Sequence, residues 1–275
     1  MENIYDLKGN IIGKVCGIYL RDYFDEKEKV IENFILAIER LKDANIDSII
    51  FEDMSLFNRQ DLKAIENGTN LKVLDGTDLL ISFLPAALKK IYSLLGTDLK
   101  SKELLIIGDD EKQTKDLIES IYKEVGFITI TGKYKDNVID NIYKHILEKT
   151  GLSIFYSKNI DKILTNYSII INLIDNYSID FRKLRSETIV FDFSLKKVLR
   201  KSALLHGKAS IEDFVFSKDN LNIAKNSYLP EVICSRLYES LNSYDREDLK
   251  EFIVNGEIYS VEEFVNEKIK NKGKL

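Results

Sequence analysis

The chain has 275 residues, long for one hydrophobic core and natural for two. Hydrophobic residues make up 44% and charged residues 31%, a globular balance that excludes a disordered chain. The net charge of −5, with no basic stripe carrying interleaved aromatics, argues against a nucleic-acid partner.

No window approaches the roughly 20 apolar residues that cross a bilayer, so no membrane partner is expected. The first residues, MENIYDLKGN, are acidic and polar and do not read as a signal peptide. Cys16 and Cys234 are far apart and fit no metal-ligand spacing. The expectation is a cytoplasmic protein with no disulfide and no metal. The terminal Lys268, Lys270, Lys272 and Lys274 read as a solvated basic fringe.

The chain opens with a hairpin over residues 3–24, turning at Lys8-Gly9-Asn10. Val30, Phe34, Ala37, Ile38 and Leu41 recur at helical spacing, predicting a helix from Glu26 to Ala44. A buried strand at 47–51, a helix from Asn58 to Glu66 and a strand at 70–74 follow. A helix from Ile81 to Leu95 accommodates Pro85 in its first turn. Residues 1–96 thus read as a small α/β domain, and the polar stretch from Leu99 to Glu103 as a boundary.

Leu104 to Gly108 is an apolar strand ending in glycine and entering a helix at about Lys112–Val125, which is how a βαβ unit begins. Strands at 127–131 and 152–156 flank a helix at 137–149. A short helix at 160–164 leads to the continuous apolar run 168–174, which suits a strand covered on both faces. Then come a helical turn at 181–184, a strand at 188–193 and a sixth at 211–216. Strands alternating with helices predict a parallel, Rossmann-like doubly wound α/β sheet over residues 97–225. Residues 226–275 read as a C-terminal helical segment packing back on the first domain, with a helix at 230–241 and a strand-like patch and amphipathic helix at 257–270.

Three segments, "LLIIGDDEKQTKDLIESIY", "TNYSIIINLIDN" and "LRSETIVFDFSL", resemble the NAD(P)-dependent two-domain proteins of the shikimate-dehydrogenase-like type. The resemblance implies a phosphate-binding turn in the first segment, a strand beside the nicotinamide in the second, and a small-molecule ligand in the cleft between domains.

The departures from that pattern are as informative as the match. The family turn reads G-x-G-x-x-G, which lets the backbone approach the pyrophosphate. Here it reads Gly108-Asp109-Asp110-Glu111-Lys112-Gln113, so only Gly108 survives. The acids suit a helix that caps itself, which neutralises the field normally offered to a phosphate. The alternative is an unusual dinucleotide site helped by Lys112 and Lys115. No acid ends the second strand for a ribose hydroxyl; Lys133 and Lys135 stand there instead, and suit a 2′-phosphate. The family's Asn-Val-Thr-x-Pro-x-Lys-like loop is missing, and Thr77, Asp78, Lys89 and Lys90 do not reproduce its spacing, so no catalytic residue carries over.

Asn172, Asp175 and Asp192 fall at or near the C-terminal ends of strands, the edge where open α/β sheets bind ligands. With Ser194 they line the cleft if it works; the other reading is that Asn172 and Asp175 cap the next turn. His145 and His206 read as structural, Glu52 and Asp53 point apart on an extended backbone, and no histidine lies near either cysteine in sequence. The candidate cofactor residues are therefore Gly108, Asp109, Asp110, Lys133, Asn172 and Asp192. The leading expectation is a scaffold that has lost hydride transfer, holds no cofactor and serves as a binding, scaffolding or regulatory protein with a protein partner or a second copy of itself. The alternative is an NAD(P)-dependent oxidoreductase with a divergent site.

Overall fold

The computed structural model describes residues 1–19, 27–43, 45–217, 221–224, 226, 228–241 and 245–270. The chain forms two compact units, Met1–Gly76 with Ser217–Ser243, and Thr77–Phe216 with Tyr244–Leu275.

In the first unit, β1 (Glu2–Tyr5) and β2 (Ile11–Val15) form the expected antiparallel hairpin. Gly9 takes φ +86°, and the Asp6 carboxylate ties the turn by accepting from the amides of Lys8 and Asn10 at 2.9 and 2.8 Å. The second strand stops at Val15, short of the expected Leu20, which lies outside the described residues. α1 (Lys27–Leu41) buries Val30, Ile31, Phe34 and Ile38; the predicted ends Glu26 and Ala44 lie outside the description. The short strand β3 (Ser48–Ile49) pairs in parallel with β4 (Lys72–Val73). Between them α2 (Arg59–Thr69) starts with a capping box, in which Asn58 accepts from the Asp61 amide and Asp61 from the Asn58 amide.

The second unit begins with α3 (Thr77–Leu95), four residues earlier than the helix expected from Ile81. Pro85 therefore sits inside the helix and not in its first turn. It withholds one hydrogen bond, and burial of Phe83, Leu84, Ala87, Leu88 and Ile91 around it outweighs that loss.

β5 (Glu103–Gly108), α4 (Glu111–Ile121), β6 (Phe127–Gly132), α5 (Asp136–Thr150), β7 (Phe155–Tyr156), β8 (Ile169–Asn172), β9 (Ile189–Asp192), α6 (Arg200–Leu205) and β10 (Ser210–Phe216) follow. A short 3-10 helix at Leu164–Asn166 replaces the helix expected at 160–164, and another at Phe181–Lys183 forms the expected helical turn. In the first unit, β11 (Ile233–Cys234) and α7 (Ser235–Glu239) occupy much less than the helix predicted over 230–241. The second unit closes with β12 (Leu249–Val254), β13 (Glu257–Ser260) and α8 (Val261–Glu263), which continues as a π-helix over Phe264–Ile269. Lys272 and Lys274 lie outside the described residues.

The large sheet runs β13-β12-β10-β9-β8-β5-β6-β7. Its six strands from β10 to β7 are parallel. Renumbered from β5, their order is 6-5-4-1-2-3, the doubly wound Rossmann arrangement read backwards. The strands within 97–225 are parallel as expected; beyond them, β12 and β13 add an antiparallel hairpin beside β10. Its turn, Asn255-Gly256, holds φ +51° and +88°.

Both faces of the central strands are buried. On one, Leu105, Ile107, Ile170 and Val190 pack with Leu164, Phe181, Leu199 and Ala203. Toward β12 the core becomes aromatic: Phe191 and Phe193 meet Phe214, Phe214 meets Phe252, and Phe252 meets Phe264, with ring centroids 5.5 to 6.4 Å apart.

Candidate functional site

In a doubly wound sheet the ligand crevice opens where strand order reverses, outside the carboxyl ends of the strands. Here that point lies between β5 and β8. The turn after β5 (Gly108 to Asp110) leaves the sheet there, beside the end of β8, with the end of β9 next across the sheet. Asn172 pairs in register with Ile107 on one side and Asp192 on the other, so the three side chains share one face.

The β5–α4 turn supplies its own counter-charge. Asp110 is the N-cap of α4, and its Oδ1 accepts from the Gln113 amide at 2.8 Å. Glu111 pairs with Lys115 at 2.5 Å, and Lys112 reaches Asp116 at 3.9 Å, so both lysines expected to help a phosphate serve their own helix. Asp109 is exposed at the mouth of the turn.

Gly108 is buried beneath a neighbour. A Cβ placed on it would meet Tyr134 Oη at 2.3 Å and Thr114 Oγ1 at 3.0 Å. The two hydroxyls are 2.6 Å apart, and Thr114 Oγ1 donates onward to the Asp110 carbonyl at 2.7 Å. The Thr114 proton is thus committed, and the phenol is the donor to Thr114. Burial pushes the Tyr134 phenol well above the ordinary tyrosine range, with Asp109 and Asp110 adding to the rise, so it stays protonated.

The loop that carries Tyr134 is laid across the turn by a pair of glycines. Gly132 holds φ +135°, and a Cβ there would lie 1.8 Å from the Gly108 carbonyl oxygen. The Lys133 amide donates to that same oxygen at 3.3 Å. Tyr134 also meets Tyr156 edge to face, at 6.3 Å. Lys133 and Lys135 flank Tyr134, and both are exposed.

At β8 and β9 the polar groups turn inward. Asn172, Asp192 and Ser194 are fully buried. Asp192 Oδ1 accepts from Asn172 Nδ2 at 2.9 Å and from Ser194 Oγ at 2.6 Å, while Oδ2 accepts from the Leu199 amide at 2.7 Å. Asn172 also closes on the backbone of Ile174. Asp175 accepts from the Lys196 amide at 2.9 Å. The Asp192 and Asp175 bonds hold the turn at 194–199 against the sheet, and Asn172 bonds the Ile174 amide in the turn that follows it, as its capping reading has it.

Sequence reasoning passed over Glu212, on β10 next to Asp192. Its carboxylate is 1% exposed and takes both Nε and Nη2 of Arg200. Burial raises its pKa, and the Arg200 bonds oppose the rise. It also passed over Tyr134, whose contact with Gly108 joins two loops.

Elsewhere, His145 bonds Glu119 on the flank of α4 and α5, and His206 is exposed at the end of α6. Among the described residues no group of three or more His, Cys, Asp or Glu is placed to hold a metal ion, and no helix is long and apolar enough to cross a membrane.

No family model and no curated protein matches the chain. Solved structures do show a likeness. Thermococcus litoralis Δ1-pyrroline-2-carboxylate reductase, in complex with NADH and L-proline, is 12% identical, with 44% of this chain and 42% of that one covered and a TM-score of 0.33. Shikimate dehydrogenase from Aquifex aeolicus is 18% identical over 44% of this chain and 47% of that one, with a TM-score of 0.31. Aspartate transcarbamoylase from Trypanosoma cruzi is 13% identical over 66% and 62%, with a TM-score of 0.38. The chain spans less than half the length of the first two. These likenesses extend to part of a fold, and the Rossmann assignment rests on strand order and register.

Proposed function

We propose that this chain is a Rossmann-scaffold protein that no longer transfers hydride and acts as a binding, scaffolding or regulatory protein. The observation that carries the reading is the Asp110 cap. A pyrophosphate at this turn would need free helix-terminal amides and a positive field. Asp110 occupies the Gln113 amide, and Asp109 and Glu111 flank it. The residues do not fit a dinucleotide as they stand. The buried Asn172 and Asp192 support the same reading, because Asn172 is bonded to Ile174 and Asp192, and Asp192 to Ser194 and the Leu199 amide.

Ligand linkage tests it. A ligand that binds only the folded state raises the melting temperature with its concentration. NADPH and NADH should leave the melting temperature unchanged up to about a millimolar, the weak end of specific binding. A rise that saturates with either would return the chain to the oxidoreductases.

One observation favours that second reading, an NAD(P)-dependent oxidoreductase with a divergent site. Lys133 and Lys135 stand exposed just past β6, where a 2′-phosphate would be received. On this reading Lys133→Ala weakens NADPH binding more than NADH binding. Equal effects would argue against it.

A further inference from the structure

The misfit at the turn has a second component, independent of charge. The Tyr134 phenol sits over Gly108, the one glycine of the turn that remains, and its oxygen lies where even a methyl group on that glycine would collide. We infer that Tyr134 is a built-in occupant of this turn, an autoinhibitory contact that excludes phosphate-bearing ligands from Gly108 by filling their place. The inference rests on the proposed function and supplies the steric half of it.

Three features hold the phenol in place. Its hydroxyl is anchored at 2.6 Å to Thr114, a side chain with no exposed surface on the first turns of α4. Its ring lies edge to face with Tyr156. Its loop cannot rise freely, because Gly132 presses on the Gly108 carbonyl at a φ only glycine adopts readily, and the Lys133 amide bonds the same oxygen. A bare loop glycine normally exists so that a ligand or another backbone can come close. At Gly108 that space is taken by a side chain of the same molecule.

The test separates space from charge. The reference protein carries Asp110→Ser, which keeps a hydroxyl cap on the Gln113 amide while removing the carboxylate. Tyr134→Ser or Tyr134→Phe is added to it, and ADP is titrated calorimetrically at fixed low salt. Tyr134→Ser should tighten ADP binding by about tenfold or more over the reference, and Tyr134→Phe, which removes the oxygen nearest Gly108 but keeps the ring, should tighten it by less. A folded Tyr134→Ser protein that binds ADP no better than the reference overturns the inference. Should that variant fail to fold, Thr114→Val serves: it frees the phenol of its anchor while keeping shape, and an ADP affinity equal to the reference overturns the inference equally. Titration of the wild-type protein with NADPH tests the proposed function separately. Silence there, with no gain from Tyr134→Ser, removes the plug and leaves that reading standing, whereas tight wild-type binding removes the reading itself.

Discussion

Asn172 Nδ2 donates to Asp192 Oδ1 at 2.9 Å, between the last residues of two neighbouring parallel strands, and both side chains are completely buried. A buried carboxylate is tolerated only when its oxygens are bonded. Here Asn172, Ser194 and the Leu199 amide supply those bonds, so the carboxylate at the ligand edge is committed to holding a turn.

Asp192→Ala should therefore behave as a core lesion. It strands one of the two Asn172 amide protons, the Ser194 hydroxyl and the Leu199 amide together, and should lower unfolding free energy by about 3 kcal/mol or more. Asn172→Ala, which leaves the carboxylate its bonds from Ser194 and the Leu199 amide, should cost less, about 1–3 kcal/mol. Urea unfolding of the two variants checks the order. An Asp192→Ala protein as stable as wild type would free this residue for a role at a ligand.

Gly132→Ala should damage the crossing of the two loops. Its φ of +135° is strained for any side chain, and the new methyl would strike the Gly108 carbonyl. The backbone component alone is about 1–3 kcal/mol. Gly151→Ala is the control: it shares a positive φ of +73° at the end of α5, yet nothing lies within 4 Å of its Cβ. It should be the milder of the two in thermal unfolding.

Glu119 links α4 to α5 through Lys149 and His145, each at 2.6 Å. The Lys149 hydrogen bond, with His145 adding to it, holds the Glu119 carboxyl below its ordinary range. A depressed carboxylate stabilises the fold above its unfolded pKa, about 4.3, and loses that contribution as pH falls through the folded value. Wild type should thus exceed Glu119→Gln in stability near neutral pH, with the gap closing below about pH 4. A gap that persisted in acid would assign the difference to packing instead of charge.

Much of the second unit is legible from sequence because its signals are local. Leu104 to Gly108 and Ser168 to Ile174 are continuous apolar runs, and α4 and α5 alternate faces cleanly, so both helices lie within a few residues of expectation. The β12–β13 hairpin carries a local signal as well, Asn255-Gly256 between Phe252, Val254 and Ile258, but the amphipathic helix after it draws the reading toward helix. The start of α3 is misread because a proline invites assignment to a first turn, and only burial of the residues around Pro85 shows that it can sit further in. At the site, the Asp110 cap can be anticipated because cap and amide are three residues apart. Tyr134 over Gly108 cannot, because that contact follows from the register that sets Gly132 beside Gly108.

Whether the β5–α4 turn is closed to a dinucleotide is answered most directly by isothermal titration of the wild-type protein with NADPH, then NADH. A closed turn gives no saturable heat with either cofactor up to about a millimolar. Binding at about micromolar affinity, with a stoichiometry near one, would contradict closure and make the edge between Gly108 and Asn172 a working cofactor site.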